Sequence, residues 1–190
     1  VGMLVLLVDD DDNAPNASGY YTTVMKSTGI GYDYWNLRTA PTLPNGYMNA
    51  HKAIVWWTGG AYPAPFTAYE PNLTQYLDQG GRLFMSSLDG LDQSAGNTPF
   101  VSNYLHINWN NATDNDQSLD PMTVTGVLTN PVTSVLSGSY IVNNGAFGYC
   151  ACNDFVQPIS PALGATRDTG ANRFNGLTVT DTSGATGKEY

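Results

Sequence analysis

The chain has 190 residues, 42% of them hydrophobic, which is enough for one domain with a substantial core. Charged residues make up only 12%, against about 25% in typical domains. The net charge of −9 argues against nucleic-acid phosphates or an anionic membrane surface as partners, and favours cations, basic partners or simple solubility. No apolar run approaches the ~20 residues a bilayer-spanning helix needs, so no membrane insertion is expected.

In chain order, residues 3–8 form an apolar, buried-type strand that runs directly into Asp9, Asp10, Asp11 and Asp12. After Pro15, Ser18 is placed to cap a helix that carries Tyr21, Val24 and Met25 inward and stops at Gly29. Residues 32–37 read as a second strand, and the Pro/Gly-rich stretch 39–49 as a surface connection. Lys52–Thr58 is apolar on both faces, the mark of a central parallel strand. Thr67-Ala-Tyr-Glu70 has capping-box spacing, with Leu73, Tyr76 and Leu77 as the buried stripe of the helix that follows and Gly80-Gly81 as its end. Arg82–Ser87 is a fourth strand, and 100–105 a short helix leading into a strand near Ile107. Strands alternating with helices over such short connections imply a right-handed parallel α/β sheet with helices on both faces. The second half holds short β-like runs at 122–127, 140–142 and 177–180 among Gly, Asn and Pro. The expected architecture is a single domain, 1–190: an α/β core over 1–109, and a β- and loop-rich extension over 110–190 added to the edge of the same sheet.

Polarity here comes from Asn, Thr, Ser, Gly and Tyr, a palette that suits an extracellular or cell-surface protein. With Val1 opening on a strand and no signal peptide ahead of it, the chain reads as a processed or excised piece. Cys150 and Cys152 are either two thiols or a strained local disulfide, since extended geometry holds the sulfurs of residues i and i+2 too far apart. Asn16, Asn72 and Asn111 each begin an Asn-x-Ser/Thr sequon, a glycan acceptor only in a secreted chain.

Several blocks in this order carry a family resemblance: V-L-L-V-D-D-D at 5–11, Tyr20-Tyr21 opening a helix, Y-D-Y-W at 32–35, A-I-V-W-W-T-G at 53–59, Y-L-D-Q-G-G-R-L-F-M-S-S at 76–87 and N-Y-L at 103–105. Over roughly residues 3–109 the chain resembles class I glutamine-amidotransferase-like domains of secreted and cell-surface bacterial proteins. The resemblance implies a flavodoxin-like, three-layer fold. It also implies a nucleophile elbow after the strand 83–87, where such enzymes carry Cys and this chain has Ser86-Ser87. The family's His-x-Glu has no counterpart, because neither His51 nor His106 is followed by Glu two residues on, so glutaminase activity is expected to be absent. Related domains commonly close with a further apolar strand. Either the sheet is complete without it, or an edge is left open to strand addition from protein partners or other copies of the chain.

Four constellations could carry chemistry. Asp9–Asp12 with Asn13 sit where an open α/β sheet binds its ligands, and with Asp89 and Asp92 after the fourth strand they could hold Ca²⁺ through hard oxygen ligands. The competing reading has them capping a helix, bonding loop N–H groups or standing in solvent. Asp114, Asp116 and Asp120 alternate as in the first half of a calcium loop, but Leu119 and Thr125 stand where an EF-hand needs Gly and Glu. A non-EF calcium loop and a polar surface insertion both remain open. Ser86 or Ser87 could serve a hydrolase only if a histidine reached them, and His51, ahead of its strand, is at the wrong end of the sheet. Finally, Tyr20, Tyr47, Tyr62, Tyr69 and Trp109 could line a sugar-binding or a protein-binding face. The leading expectation is a non-catalytic extracellular accessory or interaction module, Ca²⁺-stabilised, assembling through an open sheet edge. A serine hydrolase and a carbohydrate-binding module are the alternatives.

Overall fold

The computed structural model describes residues 4–12, 15–61, 65–88, 90–93, 96–116, 121–143, 145–147, 153–170, 172–181 and 188–189. Its first half is a four-stranded parallel sheet. In chain order the elements are β1 (Val5–Asp9), α1 (Ser18–Thr28), β2 (Tyr32–Asn36), α2 (Asn45–Met48), β3 (Ala53–Gly59), a 3-10 turn (Pro65–Tyr69), α3 (Glu70–Asp78), β4 (Arg82–Ser87), α4 (Gly90–Gln93) and α5 (Pro99–Asn103). The strand order is β2-β1-β3-β4, which makes β1 an interior strand. Leu6, Leu7 and Val8 are each fully buried, as an apolar run with no alternation requires.

Register divides the sheet into two faces. Leu6, Ile54 and Leu83 lie level, as do Val8, Trp56 and Met85. This face packs against Leu73, Tyr76 and Leu77 of α3, and against Leu43, Met48, Phe66 and Phe100. The opposite face carries Leu7, Val55 and Phe84 in one row and Asp9, Trp57 and Ser86 in the next. There Tyr21 of α1 stacks on Trp57 at 4.1 Å between ring centres.

Four local expectations need correction. Ser18 is the first residue of α1 and not its cap, a position held by Ala17 with no side-chain cap bond. No residue of α1 is fully buried, and Val24 is 56% exposed. Tyr21 and Met25 define the inward stripe, Val24 falls on its flank, and the sheet beyond is itself uncovered, with Phe84 58% exposed. The 39–49 stretch is more than a surface connection, because it delivers Leu43 and Met48 into the core. The capping box at Thr67 does not start an α-helix. A 3-10 turn intervenes, α3 begins at Glu70, and the Glu70 carboxylate accepts from Thr98 Oγ1 at 3.0 Å. The stop at Gly29 is as expected: it is left-handed (φ 69°), its N–H donates to Lys26 O, and that of Ile30 donates to Met25 O.

The second half comprises β5 (Ile107–Asn108), α6 (Asn111–Asp114), β6 (Asn115–Asp116), β7 (Met122–Gly126), β8 (Ser139–Val142), β9 (Asn153–Asp154), β10 (Gln157–Pro158), β11 (Leu163–Asp168), β12 (Phe174–Thr178), β13 (Thr180–Asp181) and β14 (Lys188–Glu189). It is β-rich, but among the described residues none of its strands pairs with the parallel sheet. Among the described residues its main element is a separate antiparallel sheet, β12-β11-β7-β8, with two-stranded pairs β10-β5, β6-β9 and β13-β14 beside it. The halves join through a small core of Leu91, Val101 and Trp109 packed with Leu105, Ile107 and Val156. A bond from the Leu91 N–H to Asp154 Oδ2 (3.1 Å) adds to that seam. Among the described residues no helix is long and apolar enough to cross a membrane.

Candidate functional site

The carboxyl ends of the parallel strands meet at Asp9, Asn36, Trp57 and Ser86. Asp9, Asp10 and Asp11 are buried there, at 1%, 6% and 1% exposure, whereas Asp12 is exposed. Strand alternation continues past the end of β1 and parts the cluster. Asp9 and Asp11 turn to the Trp57 side, and Asp10 turns to the Trp56 side.

Each carboxylate meets its own donors. Asp9 Oδ2 accepts from the Tyr34 hydroxyl and from Asn36 Nδ2 (3.1 Å). Asp10 Oδ2 accepts from the Trp56 indole N–H at 2.9 Å. Asp11 Oδ2 accepts from the Trp57 indole at 3.2 Å and from the Ala17 N–H at 2.7 Å, which ties it to the start of α1. Asp12 pairs with Arg38 at 3.7 Å, with both side chains largely in solvent. Such an exposed pair contributes little.

Two of these carboxyls are held away from their ordinary range. Burial raises Asp10 from 3.8 to about 7, opposed by the Trp56 bond and reinforced by the charges of Asp12, Asp9 and Asp11. Burial raises Asp9 to about 6, opposed by the Tyr34 bond and reinforced by Asp11. At neutral pH Asp10 is therefore close to its titration point, and its proton offsets part of the repulsion from the neighbouring carboxylates.

Convergence of carboxylates on one cation is not seen. Among the described residues no group of three or more His, Cys, Asp or Glu side chains is placed to hold a metal ion. Asp92 lies in α4, half-buried, and Asp89 and Asn13 lie outside the described residues. Since donors already engage Asp9, Asp10 and Asp11, excess EDTA is expected to leave the melting temperature unchanged in a thermal scan. A fall restored by Ca²⁺ would reveal a cation.

The other candidates are placed as follows. Asp114 is buried and accepts from the Asn110 N–H (2.9 Å) and from Gln157 Nε2 (2.8 Å). It serves the seam between β5, α6 and β10, so Asp114 itself is not a surface residue. The side chain of Asp116 and all of Asp120 lie outside the described residues, as do Cys150 and Cys152. Asn16 and Asn111 are exposed, whereas Asn72 in α3 bonds Asn45, an interaction a glycan would break. Of the aromatics, Tyr47 packs on Trp35, Tyr69 packs on Trp56, and Trp109 is buried. Tyr20 is 60% exposed, and Tyr62 lies outside the described residues.

At the end of β4 the Ser86 side chain faces the Tyr21 hydroxyl and partly offsets the rise that burial imposes on that tyrosine's pKa. Ser87 Oγ accepts from Thr58 Oγ1 at 2.6 Å, where Gly59 (φ 53°) bends β3. His51 stands at the opposite end of the sheet, 2.8 Å from Asp33. His106 Nε2 is buried without a hydrogen-bond partner among the described residues. Sequence reasoning missed the donors: Tyr34, Asn36 and the two indoles. The signal was present, because a buried indole N–H needs an acceptor and Trp56-Trp57 end their strand level with the carboxylates.

No protein-family model and no curated protein matches this sequence. Among solved structures, the chain is similar to a cytoplasmic protein from Salmonella typhimurium LT2, at a TM-score of 0.64 and 13% identity over 92% of this chain and 82% of that one. It is also similar to a putative ThuA-like protein from Bacteroides uniformis ATCC 8492, at a TM-score of 0.54 and 14% identity over 88% of this chain and 68% of that one. At these identities the likeness shows a shared fold. That fold fits the one implied by the resemblance over residues 3–109.

Proposed function

We propose that this domain is a non-catalytic interaction module on a flavodoxin-like, three-layer amidotransferase-like scaffold. It binds protein partners or further copies of itself through an open sheet edge, in an extracellular or cell-surface setting. The observation that carries this reading is the chemistry at the end of β4. Where the resembled enzymes place a nucleophile, Ser87 accepts a bond from Thr58 and Ser86 faces the Tyr21 hydroxyl. The one histidine held by a carboxylate, His51, lies at the far end of the sheet. An activated serine needs a base within hydrogen-bond reach and an orienting group behind it. The low charge and the Asn/Thr/Tyr-rich composition support the extracellular setting.

The test is covalent labelling. Intact protein incubated with a fluorophosphonate is expected to show no adduct by mass spectrometry. A stoichiometric adduct that disappears in Ser86→Ala or Ser87→Ala would overturn the reading in favour of a hydrolase.

A further inference from the structure

We propose that a second copy of this chain docks on the outer edge of β8, so that two four-stranded antiparallel sheets join across a two-fold axis. The proposal rests on the interaction-module reading above and names the partner. β8 ends its sheet, with β7 as its one strand neighbour among the described residues. Edge strands are normally protected by charge, proline or a bulge. Elsewhere in the molecule that protection is visible: β2 carries Asp33, β4 carries Arg82, and the pairing of β12 with β11 is broken by two register shifts. β8, Ser-Tyr-Ile-Val, has none of these, and its register with β7 is unbroken. It offers Tyr140 (49% exposed) on one face and Ile141 (73% exposed) on the other.

Leading into β8, at the end of its sheet, is a loop that is bonded down onto β11 and β12 and whose outside is apolar. Asn130, 1% exposed, donates to Gly164 O (3.0 Å) and Thr178 Oγ1 (2.6 Å) and accepts from the N–H groups of Val132 and Thr133. Thr133 Oγ1 donates to Ala165 O at 2.5 Å. With its backbone clamped onto β11, the loop holds out Leu128 (83% exposed), Val132 (64%) and Val135 (80%). A preorganised apolar surface loses little entropy on docking.

Charge selects the occupant. The chain carries 16 acidic and seven basic side chains, so most encounters between two copies bring like charges together. Residues 121–153 contain no Asp, Glu, Lys, Arg or His. Within the β8 sheet the first charged side chains, Arg167 and Asp168, are on β11, two strands in from the edge. This is the face on which two such molecules can meet without repulsion. An antiparallel β8–β8 pairing is self-complementary and closes as a dimer.

Sedimentation velocity on the full chain, from low micromolar to submillimolar, tests this. A concentration-dependent monomer–dimer equilibrium is expected, tightened by salt, which screens the net charge of −9 on each copy. Val135→Asp and Ile141→Lys, both at exposed positions, are each expected to weaken it at least tenfold with circular dichroism unchanged. The amides of Ser139–Val142 should exchange more slowly at high concentration. A monomer throughout, or a dimer indifferent to both substitutions, would overturn the proposal. A monomer that also resists fluorophosphonate removes the second copy alone, whereas serine labelling removes the module reading at any mass.

Discussion

Replacing Asp10 by Asn is expected to stabilise the protein at about pH 8 by about 2–4 kcal/mol and to leave stability near pH 4 almost unchanged. The carboxyl is 6% exposed, and burial lifts it from 3.8 to about 7. A folded value raised above the unfolded one means that the folded state holds the proton more tightly. The stability this contributes is complete below pH 3.8 and is lost as pH rises through about 7. A shift of roughly three units sets a ceiling of about 4 kcal/mol. The substituted amide keeps an oxygen for the Trp56 indole and carries no charge, so it mimics the protonated acid at every pH. Urea melts of both proteins at stepped pH check this. The wild type should lose stability from about pH 4 to pH 7, and the variant should retain the smaller slope due to Asp9, which titrates near 6. Parallel slopes would show that Asp10 stays hydrated in the folded state.

The same residues show where sequence reasoning reaches and where it stops. β1, β3 and β4 could be read from composition, because a strand buried on both faces has to be apolar throughout and Gly29 and Gly80-Gly81 punctuate the helices between them. That the rim is acidic was equally plain. Its partition was not foreseen, although strand alternation contains it: Asp9 and Asp11 must face away from Asp10, as Trp57 faces away from Trp56. Four acids in a row suggest a shared cation only if they converge, and a strand end keeps alternate residues apart. The second half was less legible for a different reason. Leu-Gly-Ala-Thr-Arg-Asp of β11 has neither an apolar run nor clean alternation. Its identity as a strand comes from its neighbours, β7 and β12, which are distant in sequence. Pairing is a long-range property, so composition could indicate β structure here without indicating that it forms its own sheet.

The Trp56 indole provides the second large effect. Trp56 is fully buried on the face of the sheet that α3 covers, with its ring against Tyr69 at 5.2 Å between centres. Trp56→Phe removes part of that volume and, with it, the donor to Asp10. The loss of packing should cost about 2–3 kcal/mol at any pH, because the core closes only partly around a smaller ring. Loss of the donor weighs most where Asp10 is charged, because a charged acceptor gains more from the bond than a neutral one. The indole bond is the main influence pulling this carboxyl back toward its ordinary range, so without it the folded state resists ionisation more strongly. An additional penalty of about 1–3 kcal/mol should therefore develop as pH rises toward 8 and be small near pH 4. The double variant Asp10→Asn/Trp56→Phe separates the two contributions. In the Asp10→Asn background the cost of Trp56→Phe should be nearly independent of pH, since no charge is left unpaired, and the coupling between the substitutions at about pH 8 gives the strength of the indole–carboxylate bond. A Trp56→Phe cost that stays flat with pH in the wild-type background would mean that water replaces the indole. The account of Asp10 as a desolvated carboxyl with a raised pKa would then be wrong.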